Sequence, residues 1–267
     1  MSHILFESGD HRCVVFNDLV RSDDGIQANQ FLITHGKASA LLDPGGALLY
    51  TPLSLAVARH VPLKELTWIL ASHQDPDIIG AADRWLMYTS AVLVCSRLWG
   101  RFVPHAVPSY QQNANADRYM LLPDEGGRIT MDDSHLLALP AHFLHSVGNF
   151  SFYDPVSRIL FSGDVGSSII PPGGAYQPVT DFTSHVRSME GFHRRYMGSN
   201  RAARFWANMV RELDPDMIVP QHGLPMDRRC IPAFLDWLSD LRCGLDLLEQ
   251  DHYRLPGAQS ASAFTTV

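Results

Sequence analysis

The sequence predicts an α/β protein built as a four-layer αββα sandwich. Two β-rich halves follow one another along the chain, and each half closes with a helical stretch. Because a sheet that is apolar on one face must bury that face, two such halves are expected to pack sheet against sheet with helices outside. No internal repeat occurs at a solenoid period, so a layered domain is the predicted architecture.

The first half begins with short β-prone segments separated by polar or glycine-containing turns, which predicts an antiparallel meander. These segments are residues 13–16, 29–34 and 38–42. The meander ends at Asp43-Pro44-Gly45-Gly46, and a helix with one apolar face follows over residues 51–60. The buried strand 66–71 comes next, which gives a β-β-β-α-β start.

A helix over residues 79–88 and a strand over 91–95 complete this half. Between Arg97 and Glu125 the pattern fades, and we expect loop and short helix there, as in a lid or a contact surface.

The second half is predicted to contain two hairpins and two helical stretches. The hairpin segments are residues 128–131 with 135–139 and 149–153 with 157–161. After the loop Pro171-Pro172-Gly173-Gly174, helical spacing runs over 183–213 with an interruption at 198–200. A short buried strand over 217–220 and an amphipathic helix over 231–251 follow.

Composition indicates a soluble globular protein with a sizeable core. The 267 residues are 46% hydrophobic and 18% charged, and the formal net charge is −7. This acidic balance disfavours nucleic acid or an anionic membrane as the main partner. The N-terminus lacks a basic segment and a long apolar segment, so a cytoplasmic location without a membrane span is expected.

The cysteines are expected to be reduced core thiols. Cys13, Cys95, Cys230 and Cys243 lie far apart and form no C-x-x-C pair. The sequence therefore indicates neither a disulfide framework nor a thiolate zinc site.

A hexapeptide after the strand 66–71 predicts a metal site. It reads His73-Gln74-Asp75-Pro76-Asp77-Ile78. At the end of a buried strand, one imidazole and two carboxylates at alternate positions can point in one direction. Nitrogen and oxygen donors together suit borderline to hard divalent metals.

Three later segments also end a β-strand at a histidine or an aspartate beside glycine, serine or proline. They are Leu144-His145-Ser146-Val147-Gly148-Asn149, Leu160-Phe161-Ser162-Gly163-Asp164 and Ile218-Val219-Pro220-Gln221-His222-Gly223. In this order and at these separations, the four motifs resemble the metallo-β-lactamase superfamily. The resemblance covers most of the chain, from Asp43 to Gly223, and implies the αββα sandwich of the metallo-β-lactamase type with a binuclear centre.

Two positions, 75 and 78, depart from the usual motif of that superfamily, which carries two histidines two residues apart, then Asp-His, and binds zinc for hydrolysis. Asp75 stands at the second histidine position. A carboxylate there favours a metal that changes oxidation state, since anionic ligands stabilise the ferric form. The same replacement marks flavodiiron proteins and stand-alone oxygen-binding di-iron proteins. The phrase His-Gln-Asp-Pro-Asp, with residues 192–200 and 220–223, looks most like the oxygen-binding group.

The resemblance implies six metal ligands. The first iron would be held by His73, Asp75 and His145, the second by Asp77 and His222, and both by a bridging Asp164. Ile78 occupies a position that is often histidine in relatives, and isoleucine cannot ligate. The second iron is therefore expected to have one ligand fewer and an open face that admits O2 or holds a water.

Several other residues have open roles. His142 is a rival of His145 for the ligand position. Asp43 is either a β-turn residue or a residue that orients a ligand. His193 and Tyr196 lie on a predicted helix and are given no catalytic role. The remaining histidines, including His35, His60, His105, His135 and His185, are expected to be structural.

The leading hypothesis is a non-haem di-iron protein that binds dioxygen as a sensor or carrier, or that reduces O2 or NO. The alternative is a zinc or mixed-metal hydrolase that acts on a phosphodiester, thioester or lactone with the same ligands, and Asp75 disfavours it. A binding module without chemistry is disfavoured because every expected ligand except the one at Ile78 is present.

Flavodiiron reductases place an FMN-binding flavodoxin domain after the metal domain, and none is expected after the last helix. We therefore expect two irons (or zinc), no FMN in this chain, and an external redox or signalling partner besides the diatomic ligand. The predicted organisation is one di-metal domain over residues 1–252 and a flexible tail over 253–267. Family analogy predicts a homodimer.

Overall fold

Two β-sheets form the middle of the molecule in the computed structural model. The structure describes residues 2–20, 25–106, 117–170 and 175–255. The predicted loop 171–174, the segment 107–116 of the predicted lid and residues 256–267 of the predicted tail lie outside the described residues.

The first sheet contains seven strands that neighbour one another in chain order. They are β1 (Ser2–Ser8), β2 (His11–Phe16), β3 (Gln30–His35), β4 (Ala38–Leu42), β5 (Trp68–Leu70), β6 (Val92–Ser96) and β7 (Tyr119–Leu122). Strands β1 to β4 form an antiparallel meander, of which β2 to β4 were predicted, and β4 to β7 are parallel.

The outer face of this sheet is covered by helices. They are α1 (Tyr50–Val57), α2 (Pro76–Ile79) and α3 (Ala82–Tyr88). Leu53 from α1 and Trp85 from α3 are fully buried and belong to one cluster with Phe16 and Leu41 from the strands. The period-2 alternation of β4 turns its next residue, Leu42, to the opposite face, where it belongs to the cluster between the sheets.

The second sheet has six strands in the order β13-β12-β11-β10-β9-β8. They are β8 (Gly127–Met131), β9 (Ser134–Pro140), β10 (Phe150–Asp154), β11 (Ile159–Gly163), β12 (Met217–Pro220) and β13 (Met226–Asp227). Only the pair β11 and β12 is parallel among these strands of the described chain. The carboxyl ends of β11 and β12 therefore meet at one edge.

Three longer helices cover the outer face of the second sheet. They are α4 (Phe182–Tyr196), α5 (Asn200–Leu213) and α6 (Ile231–Asp240). Asp181 caps α4 by accepting from the backbone N–H of Ser184, and Ser199 caps α5 by accepting from that of Ala202. Trp206 from α5 and Phe234 from α6 are buried in one cluster with Leu160 of β11.

Three hydrophobic clusters thus separate four layers. One lies between α1 to α3 and the first sheet, one between the two sheets, and one between the second sheet and α4 to α6. Since neighbouring layers of helix or sheet each need a shared apolar interface, this arrangement confirms the predicted αββα sandwich.

Two strands were not predicted, and two predicted helices have the wrong bounds. Strand β1 precedes the predicted β-β-β-α-β start, and β7 lies within the region predicted as loop and short helix. The helix predicted over 79–88 is two helices, α2 and α3. Helical hydrogen bonding is interrupted between them, because the N–H of Ala81 donates to the carbonyl of Gly45 instead.

The helix predicted over 231–251 ends at Asp240, because the next residues bind the segment between α4 and α5. Leu245 donates to the carbonyl of Gly198 and Gly244 to that of Arg194. Gly244 has φ +50°, and a Cβ there would lie 2.1 Å from the carbonyl oxygen of Met197. Glycine therefore allows this close approach.

Within the described part of the chain, none of the helices combines the length and the apolarity that crossing a lipid bilayer requires.

Candidate metal centre

The hexapeptide lies at the carboxyl end of β5, as predicted. The N–H of Ser72 donates to Oδ1 of Asp43 at 2.8 Å, which fixes the chain just before His73. Nδ1 of His73 lies 2.9 Å from the hydroxyl of Ser72, so its Nε2 points towards the carboxylates. Asp75 then ends the loop as the residue before α2, with Pro76 in the first turn.

Asp164 and His222 follow the two parallel strands of the second sheet. Asp164 comes directly after β11 in a turn where Gly163 has φ +61°. His222 follows β12, and the N–H of Gln221 donates to the carbonyl of Gly163 at 2.8 Å, which ties the two turns together. Parallel pairing thus brings residues 58 positions apart in sequence to one edge.

The first group of donors surrounds one oxygen of Asp164. His145 Nε2 lies 3.0 Å from Asp164 Oδ2 and 3.2 Å from Asp75 Oδ2. His73 Nε2 lies 3.5 Å from Asp164 Oδ2 and 3.9 Å from Asp75 Oδ2. The ligand atoms of His73, Asp75 and His145 all lie within 4.8 Å of one another, a spacing at which one ion can contact all three.

The second group surrounds the other oxygen of the same carboxylate. His222 Nε2 lies 3.8 Å from Asp164 Oδ1 and 3.3 Å from Asp77 Oδ2. Asp164 Oδ1 is buried and has no hydrogen-bond partner among the described residues. A buried carboxylate oxygen without a partner is costly, and a cation shared with Asp77 and His222 would supply the missing interaction.

The imidazoles strongly perturb the central carboxylate in the absence of metal. Burial alone raises the pKa of Asp164, but the hydrogen bond from His145 and the charges of His73 and His222 outweigh burial and lower the pKa to about 2. Burial lowers the pKa of His145, while its hydrogen bonds to Asp164 and Asp75 raise it to about 10. A carboxylate that stays ionised when buried is suited to hold cations.

Backbone and amide groups that the sequence did not indicate orient the second group. The carbonyl of Gln27 lies 2.7 Å from Nδ1 of His222, which leaves Nε2 free for a metal. Gln221 Nε2 donates to Asp77 Oδ2 at 3.2 Å. Gln27 comes from the loop between β2 and β3, and a main-chain acceptor has no side-chain signature in sequence.

The structure also places the residues whose roles the sequence left open. His142 turns away from the centre, because it accepts from Gly148 N at 3.1 Å and its Nε2 lies 2.7 Å from the Asp124 carbonyl. Asp43 is buried and holds the residue before His73, so it orients a candidate ligand. Ile78 is fully buried in the cluster between α1 to α3 and the first sheet, and it presents no atom to the centre.

A cleft of about 790 Å³ opens onto both donor groups. Its walls include Ile26, Leu48 and Ile169, which are strongly exposed, together with Tyr196. The rings of Phe192 and Tyr196 stack at 4.9 Å and meet His145 edge-on. The centre is thus reached through a mostly apolar entrance.

Fold and site together define a metallo-β-lactamase-fold protein with a candidate binuclear metal centre of histidines and carboxylates. A family model described as "ODP family beta lactamase" matches residues 26–223. The chain belongs to this family.

Solved structures agree with this assignment. The structure of a peroxy di-iron species of the chemotaxis sensor ODP is 37% identical, with a TM-score of 0.80, over 92% of this chain and 97% of that one. The apo state of chemotaxis sensor ODP from T. denticola is 36% identical, with a TM-score of 0.81 and the same coverage of both chains.

More distant similarities are found to one solved structure and to one further sequence. A mutant of the flavo di-iron protein from Thermotoga maritima has a TM-score of 0.69 at 18% identity, over 90% of this chain and 61% of that chain. An uncharacterized protein of Methanocaldococcus jannaschii is 23% identical over an alignment 217 positions long, and the match covers 75% of this chain. The match spans about half of that protein, 49% of its length.

Proposed function

We propose that this chain binds two iron ions and that the iron pair binds dioxygen, as in an oxygen sensor or carrier. The observation that carries the proposal is the carboxylate of Asp164, whose two oxygens face two separate groups of histidine and aspartate donors. The relative named as the peroxy di-iron chemotaxis sensor covers nearly the whole chain, which supports iron and dioxygen as the pair of ligands.

The donor set favours iron over zinc. In the proposed assignment, His73, Asp75 and His145 hold the first ion, Asp77 and His222 hold the second, and Asp164 bridges them. Three carboxylates among six ligands make the centre hard and anionic, which stabilises the higher oxidation state of a redox-active metal. When bound, a ferrous pair would supply the two electrons that dioxygen binding requires.

The surrounding residues are suited to a small apolar ligand. Ile78 offers no donor, so the second metal keeps fewer protein ligands than the first. The apolar walls of the cleft limit ordered water at the entrance while admitting a diatomic molecule. Hydrogen bonds from Gln221 and to the carbonyl of Gln27 hold Asp77 and His222 in place without closing this side.

Reduction of O2 or NO is the second candidate function for the same centre, since flavodiiron proteins share the fold. It requires repeated electron delivery from an external redox partner, whereas a sensor requires a signalling partner. The homodimer predicted by family analogy stays a prediction for either role.

The test loads metal-free protein with ferrous iron under anaerobic conditions and then admits air. We expect two irons per chain and a visible absorption band that depends on O2. Removal of O2 should reverse the band for a sensor or carrier, whereas rapid consumption of O2 with an electron donor would identify a reductase.

Asp75→Asn should weaken iron loading. The control is Asp83→Asn, the same change at an aspartate ten positions after His73, and it should leave iron loading unchanged. Two zinc ions, no visible band and hydrolysis of a generic phosphodiester would refute the proposal and favour the hydrolase.

A further inference from the structure

A second cluster of metal-ligating side chains lies at the opposite end of the sandwich. His11 and Cys13 belong to β2 of the first sheet, and Asp154 ends β10 of the second. Phe150, the first residue of β10, donates to the carbonyl of Ser72 beside the di-metal centre. Asp154 lies four residues further along the strand, which separates the two clusters by roughly 14 Å.

The three side chains are buried and in mutual contact. Their exposed fractions are 3% for His11, none for Cys13 and 1% for Asp154. His11 Nε2 lies 2.7 Å from Asp154 Oδ2, and Cys13 Sγ lies 3.6 Å from this nitrogen and 3.4 Å from this oxygen. The ligand atoms all lie within 4.8 Å of one another.

These separations are close to those of a tetrahedral zinc site. With bonds of about 2.0 Å to nitrogen and oxygen and about 2.3 Å to sulfur, neighbouring ligands lie roughly 3.3 to 3.6 Å apart. Both contacts of Cys13 already match. Only the contact between His11 and Asp154 must open, by about half an ångström. The hydroxyl of Ser157, which donates to the same oxygen of Asp154, is a candidate for the fourth ligand position.

The hydrogen bonds around His11 point to a cation as well. Asp133, His35, His11 and Asp154 form a chain of three contacts at 2.6, 3.0 and 2.7 Å. Each contact needs one N–H, and two neutral imidazoles supply only two, so the chain of contacts requires one more positive charge, either a third imidazole proton or a metal cation. A cation between His11 Nε2 and Asp154 removes one contact from this count. His11 Nδ1–H can then donate to His35, and His35 Nε2–H to Asp133, so that every remaining contact has its donor.

We propose that His11, Cys13 and Asp154 bind Zn²⁺. Imidazole, thiolate and carboxylate form a donor set that suits this borderline ion, and thiolate separates it chemically from the di-metal centre, whose six residues offer only nitrogen and oxygen. Burial and the charge of Asp154 raise the pKa of the Cys13 thiol in the metal-free protein, so zinc binding releases the thiol proton to the buffer. The ion joins the two sheets at the end remote from the di-metal centre.

This site could not be found in the sequence. His11 and Cys13 are two residues apart, but Asp154 follows 141 residues after Cys13 on the other sheet. The spacing rules that indicate thiolate zinc sites rely on C-x-x-C pairs, and this cluster has a single cysteine.

Cobalt(II) titration of metal-free full-length protein tests the proposal, because thiolate bound to Co²⁺ gives a near-ultraviolet charge-transfer band that nitrogen and oxygen ligands do not. We expect this band in the wild type, its loss on adding Zn²⁺, and a metal content one ion per chain higher than in Cys13→Ala. The matched control is Cys95→Ala, another buried cysteine, which should keep the band.

Asp164→Asn separates this proposal from the di-iron proposal. This variant should lose metal from the di-metal centre and still show the thiolate band. Absence of the band in the wild type, or its persistence in Cys13→Ala, would overturn the zinc site and leave the cluster a purely hydrogen-bonded one. Neither result bears on iron binding at the other end.

Discussion

Replacement of His193 by glutamine should remove an acid-sensitive step from the stability of the metal-free protein. His193 is fully buried on α4, and two partners define its protonation. The N–H of Gly166 donates to Nε2 at 2.9 Å, so Nδ1 carries the hydrogen and donates to the carbonyl of Met189 at 2.9 Å. A proton added at Nε2 would face the N–H of Gly166. Gly166 lies two residues after Asp164, so His193 also supports the turn that holds this carboxylate.

The magnitude follows from the difference in pKa between the folded and the unfolded chain. Burial lowers the pKa of His193 to about 4 in the folded protein, while an unfolded histidine has a pKa of about 6.5. Between these values the unfolded state binds more protons. The stabilisation from neutral His193 is therefore complete above about pH 6.5 and is lost as pH falls towards 4. Proton linkage gives a loss of roughly 2 kcal/mol between pH 7 and pH 5.

The measurement is urea unfolding of chelator-treated wild-type and His193→Gln protein at pH 7 and pH 5. Glutamine keeps one donor and one acceptor but does not titrate. Other ionisable groups contribute to both proteins, so the difference between their free energies of unfolding isolates residue 193. We expect this difference to shrink by roughly 2 kcal/mol at the lower pH. Parallel curves, with a difference that does not change with pH, would refute the assignment of a neutral, hydrogen-bonded His193.

Four further substitutions probe the di-metal centre and the residue that orients it. Asp164→Asn should lower the iron content from two ions per chain to less than one, because both donor groups lose a shared ligand, whereas Asp77→Asn should cost mainly one iron; elemental analysis for iron distinguishes these results. Asp75→His should shift competitive loading from iron towards zinc, and unchanged iron loading would contradict the role given to this carboxylate. In metal-free protein, burial raises the pKa of Asp43 to about 6, so the contribution of this residue to stability should rise by roughly 1 kcal/mol from pH 7 to pH 5. Urea titrations of wild-type and Asp43→Asn protein at both pH values cancel the contributions of other groups, and a difference between their free energies of unfolding that does not grow at pH 5 would contradict this assignment.

Most of the fold was predictable from sequence because alternation and turn chemistry are local signals. The meander from β2 to β4, the hairpins of the second sheet and the break between α4 and α5 were all predicted. Strand β1 was not, because it lies at the edge of its sheet and its residues are largely exposed. The end of α6 depends on pairing of Gly244 with the segment after α4, which is a tertiary contact that helical periodicity cannot show.

The positions of the candidate ligands could be predicted where one segment carries several donors. The hexapeptide does so, and the other candidate ligands lie in the later motifs that resemble those of the metallo-β-lactamase superfamily. The residues that orient these candidate ligands could not be predicted in this way. The carbonyl of Gln27 and the buried ring of His193 act through atoms whose partners become apparent only after the sheets pack, so single-sequence patterns do not reveal them.

Charge balance explains why a carboxylate at position 75 matters beyond its hardness. In the proposed assignment, two divalent ions with the carboxylates of Asp75, Asp77 and Asp164 would leave one net positive charge among the ligands, which the buried carboxylate of Asp43 beside Ser72 could neutralise. Without metal, burial raises the pKa of this last carboxylate to about 6, although His73 and the hydrogen bond from Ser72 lower it. With histidine at position 75 the same group of residues would carry one more positive charge. Oxidation of each metal adds a positive charge in a buried setting, so the aspartate lowers the electrostatic cost of the step that separates dioxygen chemistry from hydrolysis.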